Sequence, residues 1–228
     1  DRSQRIGLHV LEYSIGKHTD RPFEVLSLES VVSPEPNDKR NTQRTGFSFS
    51  RFAIPSLCNY QGKAIYMDAD MLVFKDIGAL WDTTFGRCKV LIQGDVPNQV
   101  GRNTKAPSIF KSHRFWRRPA KRAKQSSVSL LNCEELDWDL DKIVAGLDGQ
   151  YNYKQLMSDL CILKNEELGY SVPMEWNSLE HFDANTCNLH YTDMQTQPWV
   201  CPTNPLGYLW LDTVREMLAT GALAWSEL

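Results

Sequence analysis

Apolar positions recur along the chain with two periods. Residues 3–18 carry Ile6, Leu8, Leu11 and Ile15 on roughly one side of a 3.6-residue spiral, which predicts a helix despite Gly7. Residues 23–28, rich in Phe, Val and Leu, read as a short strand. Residues 33–45 are polar, with Pro34 and Pro36, and read as a loop. A helical pattern follows over 48–60 with Pro55 at its centre. The run 63–73 is an apolar strand that reaches two carboxylates, and 77–81 begins a helix. Residues 89–93 form a second buried strand, followed by the turn-like Gly94, Asp95, Val96 and Pro97. Strand 128–132, helices 139–145 and 154–161, strand 188–191 and a closing helix 209–220 complete the pattern. No internal repeat or low-complexity stretch interrupts it.

Strands alternating with helices predict a mixed, mostly parallel α/β sheet buried on both faces. In such sheets a ligand sits beyond the carboxyl ends of the strands. Asp68 and Asp70 occupy that place.

A chain of 228 residues with 42% hydrophobic and 23% charged residues has the composition of an ordinary globular protein. That excludes a disordered tail, a collagen-like fibre and a coiled coil. No apolar run reaches the roughly 18 residues that span a bilayer. The chain opens on Asp1 rather than Met, which points to a piece of a longer protein. The six cysteines are spread singly, with no Cys-x-x-Cys pair, and predict buried free thiols in a reducing, cytoplasmic setting.

Charge adds one asymmetry. Residues 96–133 contain no Asp or Glu but nine of the 25 Lys/Arg, leaving 16 basic residues against all 28 acidic ones elsewhere. Such a segment is either a solvated loop or a site for an anion: a pyrophosphate, an acidic glycan or the headgroups of an anionic membrane touched peripherally. Phe115 and Trp116 could stack on bases, but no recognition motif surrounds them, so no nucleic-acid partner is expected.

Two carboxylates at the end of an apolar strand are costly to bury without a counter-charge, and a hard divalent cation such as Mn²⁺ or Mg²⁺ resolves the conflict. An Asp-x-Asp is common by chance, and turn or capping aspartates are the plain alternative. Three functional readings compete: a phosphatase of the haloacid dehalogenase type, a nucleotidyltransferase, and a glycosyltransferase that holds a nucleotide-sugar diphosphate through the metal. The first usually has Thr or Val where Leu72 stands, and the second wants a Gly-Ser ahead of Asp68.

Residues 50–82 resemble glycosyltransferase family 8, the family of glycogenin and bacterial lipopolysaccharide galactosyltransferases. The match consists of a basic helix residue, a strand ending in Tyr66-Met67-Asp68-Ala69-Asp70, and the helix that carries Leu80 and Trp81. Leu189-His190-Tyr191, with Gln197-Pro198-Trp199 behind it, resembles the family's C-terminal His-Phe and Lys-Pro-Trp, with His190 lying 120 positions after Asp70. The likeness runs from Asp1 to Trp199 and is weak over 96–125.

It implies a GT-A fold in one domain, with a donor-binding part at about 1–95 and an acceptor part at about 96–228. The family's first strand has no counterpart. It further implies that Asp68, Asp70 and His190 hold Mn²⁺ or Mg²⁺. Asp1, Arg51, Asp68, Ala69, Asp70, Ser126 and Gln197 would face the donor. Asp95 and Gln125 would act at the reacting sugar. The implied activity is a metal-dependent, retaining transfer of a hexose, with a UDP-sugar as the expected donor, to a glycan, lipid-linked or protein acceptor. Gln197 departs from the family's lysine. Asn152 and Tyr153 stand where the family has Asp-Gln. These departures raise the alternative of a relative that binds sugar nucleotides without turnover. Trp176, Asn177, Glu180 and His181 are either an acceptor cleft or a packing segment.

Overall fold

A computed structural model describes residues 2–45, 47–94 and 125–227. Asp1, Asp95 with the turn it was assigned to, and the basic stretch 102–124 lie outside the described residues. The elements are α1 (Arg2–His18), α2 (Ile54–Leu57), β1 (Lys63–Met67), β2 (Met71–Val73), α3 (Gly78–Trp81), β3 (Val90–Gln93), β4 (Gln125–Asn132), α4 (Leu140–Gly146), α5 (Tyr153–Asp159), β5 (Leu168–Gly169), β6 (Ser178–Leu179), β7 (Asn188–His190) and α6 (Gly207–Thr220).

Two sheets form. One has the order β1-β4-β3-β5 and the other β2-β7-β6. In the first, β1, β3 and β5 run in one direction and β4 alone runs against them. The mixed α/β architecture holds, but β1–β4 and β4–β3 pair antiparallel and only β3–β5 pairs parallel, because β4 is inserted against its two neighbours. In the second, β7 is antiparallel to β2 and parallel to β6.

The single apolar run 63–73 is in fact two strands, one in each sheet. The chain breaks at Asp68-Ala69-Asp70, because a charged Asp-x-Asp cannot continue a strand buried on both faces without stranding its carboxylates. Both sheets are covered on both sides. Val90 and Ile92 of β3 face a core with Phe52, Trp138, Val144 and Leu156, while Leu91 faces a second core with Leu11, Ile15, Leu80 and Trp176. Met71 and Val73 of β2 join that second core. Leu72 points the other way, into a third core with Val10, Tyr191, Trp210, Val214 and Met217. Alternate residues of a strand thus serve two cores, as the period of two requires.

Helix α1 lies against β2, and Ser14 ties the two: its Oγ accepts from the Val73 N–H at 3.1 Å and donates to the Leu11 carbonyl at 2.7 Å. Gly7 has a specific task. A Cβ there would stand 2.9 Å from the Ala69 carbonyl oxygen, so glycine lets the helix approach the segment between the two carboxylates.

Local chemistry overrode the periodic signal in two places. Pro55 lies in the first turn of α2, so the expected 48–60 helix divides into a 3-10 turn at Ser50–Ala53 and one α-helical turn. Asn59 and Tyr60, with φ of 52° and 54°, end it. The expected strand at 23–28 does not form. Phe23 and Leu26 are about half exposed, and among the described residues no strand pairs with the segment. All six cysteines are free, but only Cys133 is buried, its thiol pushed up to about 12 by burial and by Cys58. No helix among the described residues is long and apolar enough to cross a membrane.

Candidate active site

The break between β1 and β2 hangs Asp68 and Asp70 between the two sheets, held by the backbone on each side. The Asp68 N–H donates to the Ser127 carbonyl of β4 at 3.1 Å. The Asp70 carbonyl accepts from the Tyr191 N–H at 2.9 Å. Strand β7 pairs Met71 with His190, which brings the imidazole alongside Asp70. Oxygens of Asp68 and Asp70 and a ring nitrogen of His190 all lie within 4.8 Å of one another. His190 Nε2 is 3.1 Å from Asp70 Oδ1 and 4.0 Å from Asp68 Oδ2.

Each member is anchored from behind. The Tyr66 hydroxyl donates to Asp68 Oδ1. Burial first, and the Asp68 charge next, push that phenol well above its usual range, so it remains a donor. Arg51 lies over the Tyr66 ring at 4.5 Å, with Nη2 3.6 Å from Asp68 Oδ1. Its Nη1 donates to the Ser126 carbonyl at 3.3 Å and to Ser126 Oγ at 3.2 Å. Gln197, only 2% exposed, donates from Nε2 to Asp70 Oδ2 at 2.8 Å and to the Tyr191 carbonyl at 3.2 Å. His190 Nδ1 is 2.9 Å from Asn177 Oδ1, and Asn177 Nδ2 donates to Gln93 Oε1 at 2.8 Å.

The donor set fits a hard cation. Asp70 Oδ1 is buried without a hydrogen-bond partner although His190 Nε2 is adjacent. With the ring proton on Nδ1, facing the Asn177 carbonyl, Nε2 offers a lone pair to an oxygen that also offers lone pairs. A second proton on the ring or a cation between the two removes that opposition. Burial disfavours the imidazolium, but the hydrogen bond that a protonated Nε2 would donate to Asp70, together with the Asp70 charge, outweighs it, with Asp68 and Glu180 adding to them. The pKa is raised above the ordinary 6.5. Two carboxylate oxygens and one imidazole are a suitable set for Mn²⁺.

Of the residues singled out in the sequence, Arg51, Asp68, Ala69, Asp70, Ser126, His190 and Gln197 come together. Gln125 begins β4, opposite Gln93. Gln197 faces Asp70 from inside the protein, so its amide serves the carboxylate. Asn152 caps α5, accepting from the Gln155 N–H, and is thereby taken up in the helix terminus. The segment 176–181 divides: Trp176 enters the core and Asn177 meets His190. The Glu180 carboxylate accepts from the Asp193 N–H at 3.1 Å.

Sequence reasoning missed Tyr66, Gln93 and the role of Asn177. Tyr66 was accessible, because positions i and i+2 of a strand share a side and Tyr66 precedes Asp68 by two. Gln93 and Asn177 carry no local signal.

Comparisons with known proteins bear on the family and the fold. A 234-residue alignment with Protein CDI of Arabidopsis thaliana shows 28% identity, covering 95% of this chain and 84% of that protein. The glycosyltransferase GlyE of Streptococcus pneumoniae superposes with a TM-score of 0.57 at 12% identity, over 95% of this chain and 61% of its own. An active-site mutant of LgtC gives 0.51 at 19% identity, over 81% and 70%. These two likenesses bear on the fold, and the chain spans about three-fifths of the length of GlyE. The model described as glycosyl transferase family 8 matches residues 12–132, more than half of the chain and including the whole Asp68–Asp70 motif. The chain belongs to glycosyl transferase family 8.

Proposed function

We propose that the protein is a metal-dependent, retaining hexosyltransferase that uses a nucleotide sugar, with a UDP-sugar as donor and a glycan, lipid-linked or protein acceptor. The observation that carries this reading is the Asp68–Asp70–His190 group, with its orphaned Asp70 oxygen, in a chain of this family. Asp68, Asp70 and His190 would hold the cation. A bound divalent cation supplies charge neutralisation at the diphosphate leaving group. Arg51 adds a fixed positive charge beside Asp68, and Tyr66 and Gln197 keep the two carboxylates in place. In the transfer, the bond from the sugar C1 to the phosphate oxygen breaks and a bond from C1 to the acceptor oxygen forms on the same face. The acceptor's proton passes to the departing phosphate. Asp95 and Gln125 are assigned to the sugar, and Asp1, Ala69 and Ser126 to the nucleotide. The division into a donor part at 1–95 and an acceptor part at 96–228 belongs to the same proposal. The free thiols favour a reducing, cytoplasmic setting. The basic stretch is assigned to the diphosphate or to an anionic membrane surface.

A thermal-shift screen of nucleotide sugars, with and without Mn²⁺, followed by assay of sugar release, tests the reading. A metal-dependent shift with one donor class, and release of its sugar, is the expected result. No shift with any donor would refute it. A shift without release supports the second reading, a sugar-nucleotide-binding relative without turnover. Gln197 turned toward Asp70 and Asn152 committed to a helix cap are the observations that favour it.

A further inference from the structure

His190 is held from its far side by a buried pair of amides. Asn177 is 1% exposed, Gln93 2% and His190 4%, so each polar atom must find its partner within the protein. Asn177 is brought there by the 3-10 turn Met174–Asn177, and Gln93 by the last position of β3. Neither touches the place where a cation would sit. The chain of contacts runs from Gln93 Oε1 to Asn177 Nδ2 at 2.8 Å and from Asn177 Oδ1 to His190 Nδ1 at 2.9 Å.

The direction of these bonds has a chemical consequence. An amide that donates its NH₂ to Gln93 has only its carbonyl left for His190. A carbonyl can only accept, so Nδ1 must carry a proton. In neutral imidazole that leaves Nε2 as the nitrogen with a lone pair, directed at Asp70 and Asp68. The opposite tautomer would set the Nδ1 lone pair against the Asn177 carbonyl in a buried site, where an unmade hydrogen bond is expensive.

We propose that Asn177, oriented by Gln93, is a positioning residue that fixes the Nδ1–H tautomer of His190 and thereby makes Nε2 the cation-ligating atom. Its effect on metal affinity rests on the cation reading above. Its effect on the tautomer does not.

Two measurements on the full chain test this. Nitrogen-15 NMR of the metal-free protein, recorded above the pH at which the His190 ring is seen to lose its second proton, should show the remaining proton on Nδ1. A proton on Nε2 would overturn the proposal whether or not the protein binds metal. Titration with Mn²⁺ alone, followed by electron paramagnetic resonance, gives the second measurement. Asn177→Leu, which removes the acceptor, should weaken Mn²⁺ binding by about 10- to 100-fold, while Asn177→Asp, which keeps an acceptor, should stay within about threefold of the parent. Equal affinity in Asn177→Leu and the parent refutes the positioning role. So does an equal loss in both variants that follows their loss of thermal stability. Should Asn177→Leu fail to fold, Gln93→Met removes only the amide's orienting partner and should produce a smaller loss of the same kind. If the parent itself does not bind Mn²⁺, the cation reading fails, and the NMR result alone decides the tautomer.

Discussion

Asp70→Asn should make the metal-free protein more stable at alkaline pH and less stable at acid pH. Asp70 Oδ2 accepts from Gln197 Nε2 at 2.8 Å, whereas Oδ1 is buried without a donor 3.1 Å from His190 Nε2. An asparagine can keep its carbonyl on Gln197 and turn its NH₂ to the Nε2 lone pair, so two opposed acceptors become a hydrogen bond. Relieving one unsatisfied buried acceptor contributes about 1–3 kcal/mol. For a chain of this size that raises Tm by roughly 2–12 °C. The sign depends on His190. Its folded pKa is raised above 6.5, so its contribution to stability is fully present below 6.5 and is lost as pH rises through the folded value. In acid the imidazolium donates to Asp70, and removing that carboxylate breaks a mostly buried pair at a cost of about 3–5 kcal/mol. Urea unfolding of both proteins in EDTA, from acid to alkaline pH, should therefore give curves that cross. Saturating Mn²⁺ at alkaline pH should reverse the order, because only the parent gains the roughly 2.7 kcal/mol expected at a hundredfold excess over Kd. A variant less stable than the parent at every pH, with no change in the difference, would refute the assignment of the orphaned oxygen.

Gly7→Ala should destabilise the protein and weaken Mn²⁺ binding, although alanine favours a helix interior by about 1 kcal/mol over glycine. The added Cβ would stand 2.9 Å from the Ala69 carbonyl, and urea unfolding with metal titration will show whether the helix gain wins instead. Mn²⁺ affinity should fall as pH drops through the folded pKa of His190, a loss that begins above the ordinary 6.5, and isothermal titration across that range reads it. Replacing Arg117, Arg118, Lys121 and Arg122 together by Ser should weaken donor affinity or abolish binding to anionic vesicles, the latter with strong salt dependence. Unchanged behaviour in both assays assigns the stretch to a solvated loop.

Much of this was legible because burial writes itself into period. The unbroken apolar run of β3 follows from a strand covered on both faces, and the stripe of α1 from a helix that covers a sheet. The Asp68–Asp70 motif and His190 could be paired across 120 positions only through a resemblance, since β2 and β7 meet by tertiary pairing. The strand expected at 23–28 shows the opposite case. Its apolar residues are those of a strand, but a strand needs a partner edge, and among the described residues none pairs with it. The division of 63–73 into two strands was likewise hidden, because the apolar residues before and after the carboxylates look alike while they serve different sheets. The amide pair behind His190 was out of reach altogether: Gln93 and Asn177 are 84 positions apart, and a buried glutamine in a strand looks like any other polar residue.

Charge at the site bears on how the protein departs from its family. Two carboxylates converge there, and among the described residues the cation in contact with them, apart from a protonated His190, is Arg51. A lysine at 197 would add a charge able to meet a diphosphate. Gln197 instead places a neutral NH₂ on Asp70 from within the core, which holds the carboxylate without drawing down its charge. A carboxylate left fully anionic binds a hard cation more strongly than one already paired to an ammonium. On the proposed donor and cation reading, the exchange of lysine for glutamine would shift the work of holding a diphosphate toward the cation, Arg51 and the basic residues of the stretch 102–124. A Gln197→Lys variant carries that shift backwards: it should lower Mn²⁺ affinity in the absence of nucleotide, and an unchanged or raised affinity would refute the action of residue 197 through Asp70.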